Sequence, residues 1–86
     1  MSVKVLKLGA TWCSSCKSLS SLIPLIITNI ETEEVDIDVD IEVVKQYGVR
    51  GVPVLLAIKD GEKVSQLNGA QTLQKLQEWY DAVEAM

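Results

Sequence analysis

Hydrophobic and polar positions change their period several times along the chain. "KVLKL", Lys4 to Leu8, sets Val5, Leu6 and Leu8 among lysines and predicts a first strand ended by Gly9. The loop Ala10 to Trp12 then leads to Cys13. From about Ser14 the spacing becomes i, i+3, i+4, i+7, and Leu19, Leu22, Ile23, Ile26, Ile27 and Ile30 make one continuous helical stripe. Pro24 lies inside it; its ring clashes with the Ser20 carbonyl and removes one ladder bond, which predicts a kink. "EVDIDVD", Glu34 to Asp40, alternates strictly and predicts a half-buried strand with Val35, Ile37 and Val39 on one face.

"IEVVKQYG" follows as a short helix, with Asp40 as N-cap and Gly48 as its stop. "VPVLLAI", Val52 to Ile58, is continuously apolar and predicts a strand buried on both faces. Asp60-Gly61 is a hairpin signal, and "KVSQL" pairs back as the last strand. Beyond Gly69 a final helix, capped by Thr72, carries the stripe Leu73, Leu76, Tyr80 and Val83. The order is β-α-β-α-β-β-α. A right-handed parallel strand-helix-strand unit followed by a hairpin and a helix predicts an α/β fold: a four-stranded mixed sheet with helices on both faces.

The length of 86 residues fits one domain, residues 1–86, with a small core. A net charge of -4 without a basic cluster argues against nucleic acid or an anionic membrane as partner. "LIPLII", the longest apolar run, is too short to span a bilayer and follows the cysteines, so it is not a signal segment. These features predict a cytoplasmic protein, where a pair of cysteines is more often catalytic or metal-binding than structural.

Cys13 and Cys16 are the only cysteines, and there is no histidine. Cys13 falls at a strand-to-helix junction and Cys16 in the first helical turn. Unpaired N–H groups and the positive end of the helix dipole favour a thiolate at Cys13. Two intervening residues let one sulfur reach the other. Cys13 can form a mixed disulfide with a target, and Cys16 can resolve it. Two other readings stand beside this: inert core cysteines, or a metal site. Zinc or an iron–sulfur cluster needs four ligands, so it would require Cys13 and Cys16 from two subunits.

"WCSSCK" resembles the active-site segment of the thioredoxin superfamily, "YGVRGVP" (Tyr47 to Pro53) the segment leading into its cis-proline, and "LLAIKDGEKVSQLNGA" its following hairpin and groove glycine. The resemblance runs from about Val3 to Val83, without the first strand and helix of full-length thioredoxins. It implies a thioredoxin-like fold, with Cys13 as nucleophile, Cys16 as resolving cysteine and Pro53 as a cis-proline facing the disulfide. It implies a shallow apolar groove of Trp12, Val52, Gly69 and Ala70, supported by Tyr47, Val49 and Gly51. The Val52 backbone would pair with an extended substrate. It also implies protein-disulfide reduction by a monomer, with a thioredoxin reductase or another thiol donor as partner and no cofactor beyond the redox-active disulfide.

The chain departs from the family pattern in three places. Ser14-Ser15 stands where glycine-proline is typical and brings hydroxyls near the sulfurs. Pro24 stands three residues later than the usual helix proline. Lys7 occupies the position, six before the first cysteine, where thioredoxins carry a buried aspartate, and Glu34 the position of that aspartate's lysine neighbour. A charge-swapped Lys7–Glu34 pair beneath Cys16 is therefore expected, with Lys7 either stabilising a thiolate or taking up its proton; the alternative is that Lys7 extends into solvent. A glutathione-dependent glutaredoxin is a second functional reading, against which stand Ser14-Ser15, Gly51-Val52 and Asn68-Gly69-Ala70. A dimeric metal or iron–sulfur module and a redox-controlled scaffold are readings of another class.

Overall fold

In the computed structural model, which describes residues 3–86, the first apolar run forms β1 (Val3–Gly9) at the interior of the sheet. The other elements follow as α1 (Ser14–Leu22), a 3-10 turn (Ile23–Leu25), β2 (Glu31–Asp36), α2 (Ile41–Tyr47), β3 (Val54–Lys59), β4 (Glu62–Asn68) and α3 (Leu73–Glu84). The strand order is β2-β1-β3-β4; β1 pairs with β2 in parallel and with β3 antiparallel, and β3 pairs antiparallel with β4. The expected α/β fold with a four-stranded mixed sheet is thus observed.

Strand alternation sends apolar side chains to both faces of β1. On one face Val5 and Leu55 pack with Leu19 and Ile26 from the α1 region and with Leu76 and Tyr80 of α3. On the other, Leu6, Leu8, Val35, Val54 and Leu56 pack with Val49, against Val43 and Tyr47 of α2. β3 is buried on both faces from Val54 to Ala57, as its unbroken apolar run requires, and β1 is likewise buried on both faces from Val5 to Gly9. Asp60 and Gly61, both with positive φ (54° and 82°), close the β3–β4 hairpin in the backbone region that Asp-Gly turns favour.

Four sequence expectations are corrected. The stripe from Leu19 to Ile30 is not one helix. Pro24 ends α1 instead of kinking it: the chain tightens into a 3-10 turn closed by the Ile26 N–H to the Ile23 carbonyl (3.1 Å), and Ile26 is extended. Beyond it, the Gln77 side-chain amide accepts from the Ile27 N–H (2.9 Å) and donates to the Ile27 carbonyl (2.8 Å), which leaves the Ile27 side chain 83% exposed. β2 lies three to four residues earlier than Glu34 to Asp40, because its register follows β1 from Lys4↔Glu31 to Gly9↔Asp36. Past Asp36 the chain turns, and Val39 is 75% exposed. β3 begins at Val54, since Pro53 has no N–H for the ladder. Leu73, at the first position of α3, is exposed, and the packed face begins at Leu76.

The proposed caps divide. Thr72 Oγ1 accepts from the Lys75 N–H at 3.2 Å. Gly48 ends α2 in the left-handed region at φ 64°. Asp40 stands at the N-cap of α2, but its side chain makes no capping bond. Among the described residues, no helix is long and apolar enough to cross a membrane.

Candidate active site

The pairing register gathers the loops that matter at one end of the sheet. β1 and β2 finish together at Gly9↔Asp36; β3 starts at Val54, opposite Leu8, and β4 finishes at Asn68, opposite Val54. The segment Ala10 to Cys13, the turn after Asp36, the Val52-Pro53 peptide and Gly69-Ala70 all leave from that end.

The cysteine segment is held on both sides. The Cys13 N–H donates to the Ala10 carbonyl (3.2 Å), and Cys13 is extended at the N-cap of α1. Its Sγ takes the place of a capping oxygen: the Cys16 N–H donates to it at 3.1 Å. Cys13 and Cys16 are joined as a disulfide across the first turn, with Cα atoms 5.3 Å apart. The Ser15 hydroxyl lies 3.5 Å from Cys13 Sγ, within the reach expected of it, whereas Ser14 is exposed and its carbonyl accepts from the Ser18 hydroxyl. Both sulfurs are engaged with each other, and among the described residues no group of three or more carboxylates and cysteines is arranged to hold a metal ion.

Trp12 is 68% exposed beside the disulfide. Its Nε1–H donates to Asp38 Oδ2 at 3.0 Å, which fixes the ring against the turn that follows β2. That turn is self-supporting: the Asp36 carbonyl accepts from the Val39 and Asp40 N–H groups, and its carboxylate from the Asp38 N–H (2.9 Å). The Ile37 N–H ties it to the Gly9 carbonyl (3.0 Å). Asp38 as the anchor of Trp12 was missed in the sequence. Its signal was the Asp36-x-Asp38 spacing, which suits a side chain that caps the backbone two residues on.

The Val52–Pro53 peptide is cis. The Pro53 carbonyl accepts from the Gly69 N–H at 2.8 Å, joining two segments expected to flank one groove. Val52, Pro53 and Gly69 line a pocket of about 520 Å³ together with Arg50, Gln66 and Asn68. Trp12 and Ala70 lie outside that lining. Tyr47 and Val49 pack into the core beneath, while Gly51 is exposed with open space around its Cα.

On the inner side of the disulfide lies a cavity of about 310 Å³, lined by Lys7, Gly9, Thr11, Cys16, Ser20 and Glu34 among others. Lys7 is buried at 5% exposure, so it does not extend into solvent as the alternative held. Lys7 and Glu34 are partners in the β1–β2 register, and Lys7 Nζ meets Glu34 Oε1 at 3.4 Å. The same oxygen accepts from the Ser20 hydroxyl of α1 at 3.2 Å, a contact with no local sequence signal.

Known proteins resemble this chain over nearly its whole length. The thioredoxin family profile matches residues 2–82. A fungal relative, thioredoxin Asp f 29 of Aspergillus fumigatus, is 37% identical over 67 residues, which are 72% of this chain and 61% of that protein. Thioredoxin-2 of Pyricularia oryzae is 39% identical over 64 residues, 71% of this chain. The chain thus spans less than two thirds of the first relative's length and only 37% of the second's. A solved structure of a mutant thioredoxin from Halobacterium salinarum superposes with a TM-score of 0.86 at 29% identity, covering 94% of this chain and 74% of that one.

Proposed function

The chain belongs to the thioredoxin family, and on that premise we propose that it is a dithiol–disulfide oxidoreductase that reduces protein disulfides. The single observation that carries the reading is the Cys13–Cys16 disulfide closed over the first turn of α1, with Cys13 Sγ in the N-cap position. In the reduced protein the Cys13 thiolate attacks one sulfur of a target disulfide. A Cys13–target disulfide forms, and the other target sulfur leaves as a thiol. The Cys16 thiolate then attacks Cys13 Sγ, forms the Cys13–Cys16 bond and releases the second target thiol. The target gains two electrons and two protons, which a reductase or another thiol donor returns to the pair.

The same reading assigns target binding to Trp12, Val52, Pro53, Gly69 and Ala70, with an extended segment laid along the Val52 backbone, where strand pairing has not yet begun. Ser15 modulates Cys13 through its hydroxyl, and Ser14 borders the target groove. The chain acts as one domain and as a monomer in the cytoplasm, with no cofactor beyond its own disulfide. The glutaredoxin reading is not favoured, since family profile and relatives are thioredoxins.

Turnover of a model protein disulfide with a dithiol as donor tests the proposal. Cys13→Ser is expected to abolish turnover. Cys16→Ser is expected to stop after one half-reaction, with the target trapped on Cys13 and visible by mass. Rapid turnover by Cys16→Ser with glutathione as sole donor would favour the glutaredoxin reading instead. Equilibration against thiol–disulfide buffers gives the direction: roughly −270 mV, the value of thioredoxin, marks a reductant, and about −120 to −180 mV an oxidant or isomerase.

A further inference from the structure

Lys7 is a buried cation for which the steps above give no task. Strand alternation explains where it points. Val5, Lys7 and Gly9 share the β1 face that α1 covers, and Val5 packs with Leu19 of that helix. The row therefore changes from apolar to charged to empty as it passes under the N-terminal turn of α1. A methyl group on Gly9 would lie 3.3 Å from Cys16 Sγ and 3.7 Å from Lys7 Nζ, so both atoms border the space that Gly9 leaves open. Lys7 and Cys16 also line the same cavity.

The counter-ion is arranged asymmetrically. Glu34 holds Lys7 Nζ through one oxygen at 3.4 Å, shares that oxygen with Ser20, and is itself 71% exposed. A carboxylate in contact with water screens its partner only in part. Paired in this way, Lys7 enters the site as a cation whose field is not cancelled on the side facing Cys16. The other charged groups facing the cavity are Lys17 of α1 and Asp36 of β2. Lys17 is exposed, and the Asp36 carboxylate is engaged by the Asp38 N–H.

We infer that the Lys7 ammonium is the charge that stabilises the Cys16 thiolate when that sulfur resolves the mixed disulfide. The inference rests on the dithiol–disulfide reading above. Cys16 loses its proton to solvent through the open cavity. The thiolate, held in the field of Lys7, attacks Cys13 Sγ; the Cys13–target bond breaks and the target leaves with the electron pair. Lys7 neither gains nor loses a proton in this step, and it acts through Cys16 as a positioning residue. Glu34 tempers the field and Ser20 holds Glu34 in place.

The test is titration of Cys16 by thiolate ultraviolet absorbance in a Cys13→Ser background, where serine retains the N-cap. It needs no target, so it is decided separately from turnover. Lys7→Met is expected to move the Cys16 midpoint up by about one pH unit or more. That change removes a buried charge and leaves only a solvated carboxylate behind, so the fold should persist. Lys17→Met is expected to move the midpoint less. Glu34→Gln, at the surface, is expected to move it down, because the amide oxygen still accepts from Lys7 without cancelling its charge. A midpoint unmoved or lowered by Lys7→Met overturns the inference, as does a Lys17→Met shift of equal size. Should Lys7→Met not fold, Glu34→Gln decides: a downward shift supports the inference, and an unmoved or raised midpoint overturns it.

Discussion

Two residues far from the disulfide show how single groups tie this fold to pH. Tyr80 is fully buried, and its hydroxyl meets Thr32 Oγ1 at 2.8 Å. Burial raises its pKa above the ordinary tyrosine value, and the bond to Thr32 offsets this only in part. The folded chain thus holds the phenolic proton more tightly than the unfolded chain. Its stabilisation is complete below the ordinary tyrosine range and is lost as pH rises through and beyond it. Tyr80→Phe should cost about 1 kcal/mol at neutral pH through the lost bond and flatten the alkaline limb of a pH–stability curve, as read by urea unfolding. Glu84 behaves in the opposite sense. The Asn29 N–H (2.7 Å) and the Thr28 hydroxyl (2.8 Å) donate to its carboxylate and hold its pKa below the usual range. Its contribution is present above the ordinary carboxylate range and disappears as pH falls. Glu84→Gln should therefore leave the alkaline limb unchanged and make unfolding less dependent on pH on the acid side.

At the scale of elements, the caps carry a measurable share. Thr72→Ala removes the acceptor for the Lys75 N–H and should lower stability by about 1 kcal/mol in urea unfolding, with amide exchange accelerated first in the opening turn of α3. The elements read correctly from sequence are those whose signals are local: the β1 run, the Gly48 stop, the Asp60-Gly61 turn and the Thr72 cap. β2 was displaced because one of its faces is polar where it packs. Thr32 meets Tyr80 and Glu34 meets Lys7, so alternation is hidden exactly where pairing with β1 sets the register. The stripe through Ile27 and Ile30 misled for a similar reason, since the Gln77 amide that takes up the Ile27 N–H and carbonyl lies on α3. The site divides in the same way. Cys13, Cys16 and Pro53 sit in short motifs and were legible, and the Lys7–Glu34 pairing followed from positions in a resembled pattern. The Ser20–Glu34 contact joins residues far apart in sequence and left no pattern to find, and the Trp12–Asp38 contact left only the local Asp36-x-Asp38 spacing.

For the whole molecule, two small cores on opposite faces of one sheet share the task of stability. Leu76 belongs to one and Leu56 to the other, and both are fully buried. Each changed to alanine should cost about 2–5 kcal/mol, and because the two clusters are separated by the sheet the costs should add closely. Against a total of roughly 5–15 kcal/mol for a domain, the double variant should be largely unfolded by far-ultraviolet circular dichroism. The sheet also has open flanks, and the order β2-β1-β3-β4 puts β2 on one of them. Exposed Glu31, Glu33 and Glu34 crowd that flank, with Glu33 bridged to Lys4 at 3.0 Å. A bare flank would be a template on which another chain could crystallise strand by strand; this one meets each arriving copy with its own negative charge. The charge along this rim thus opposes pairing between copies, and Glu31→Val with Glu33→Val should make light scattering climb more steeply with concentration than it does for the unaltered chain.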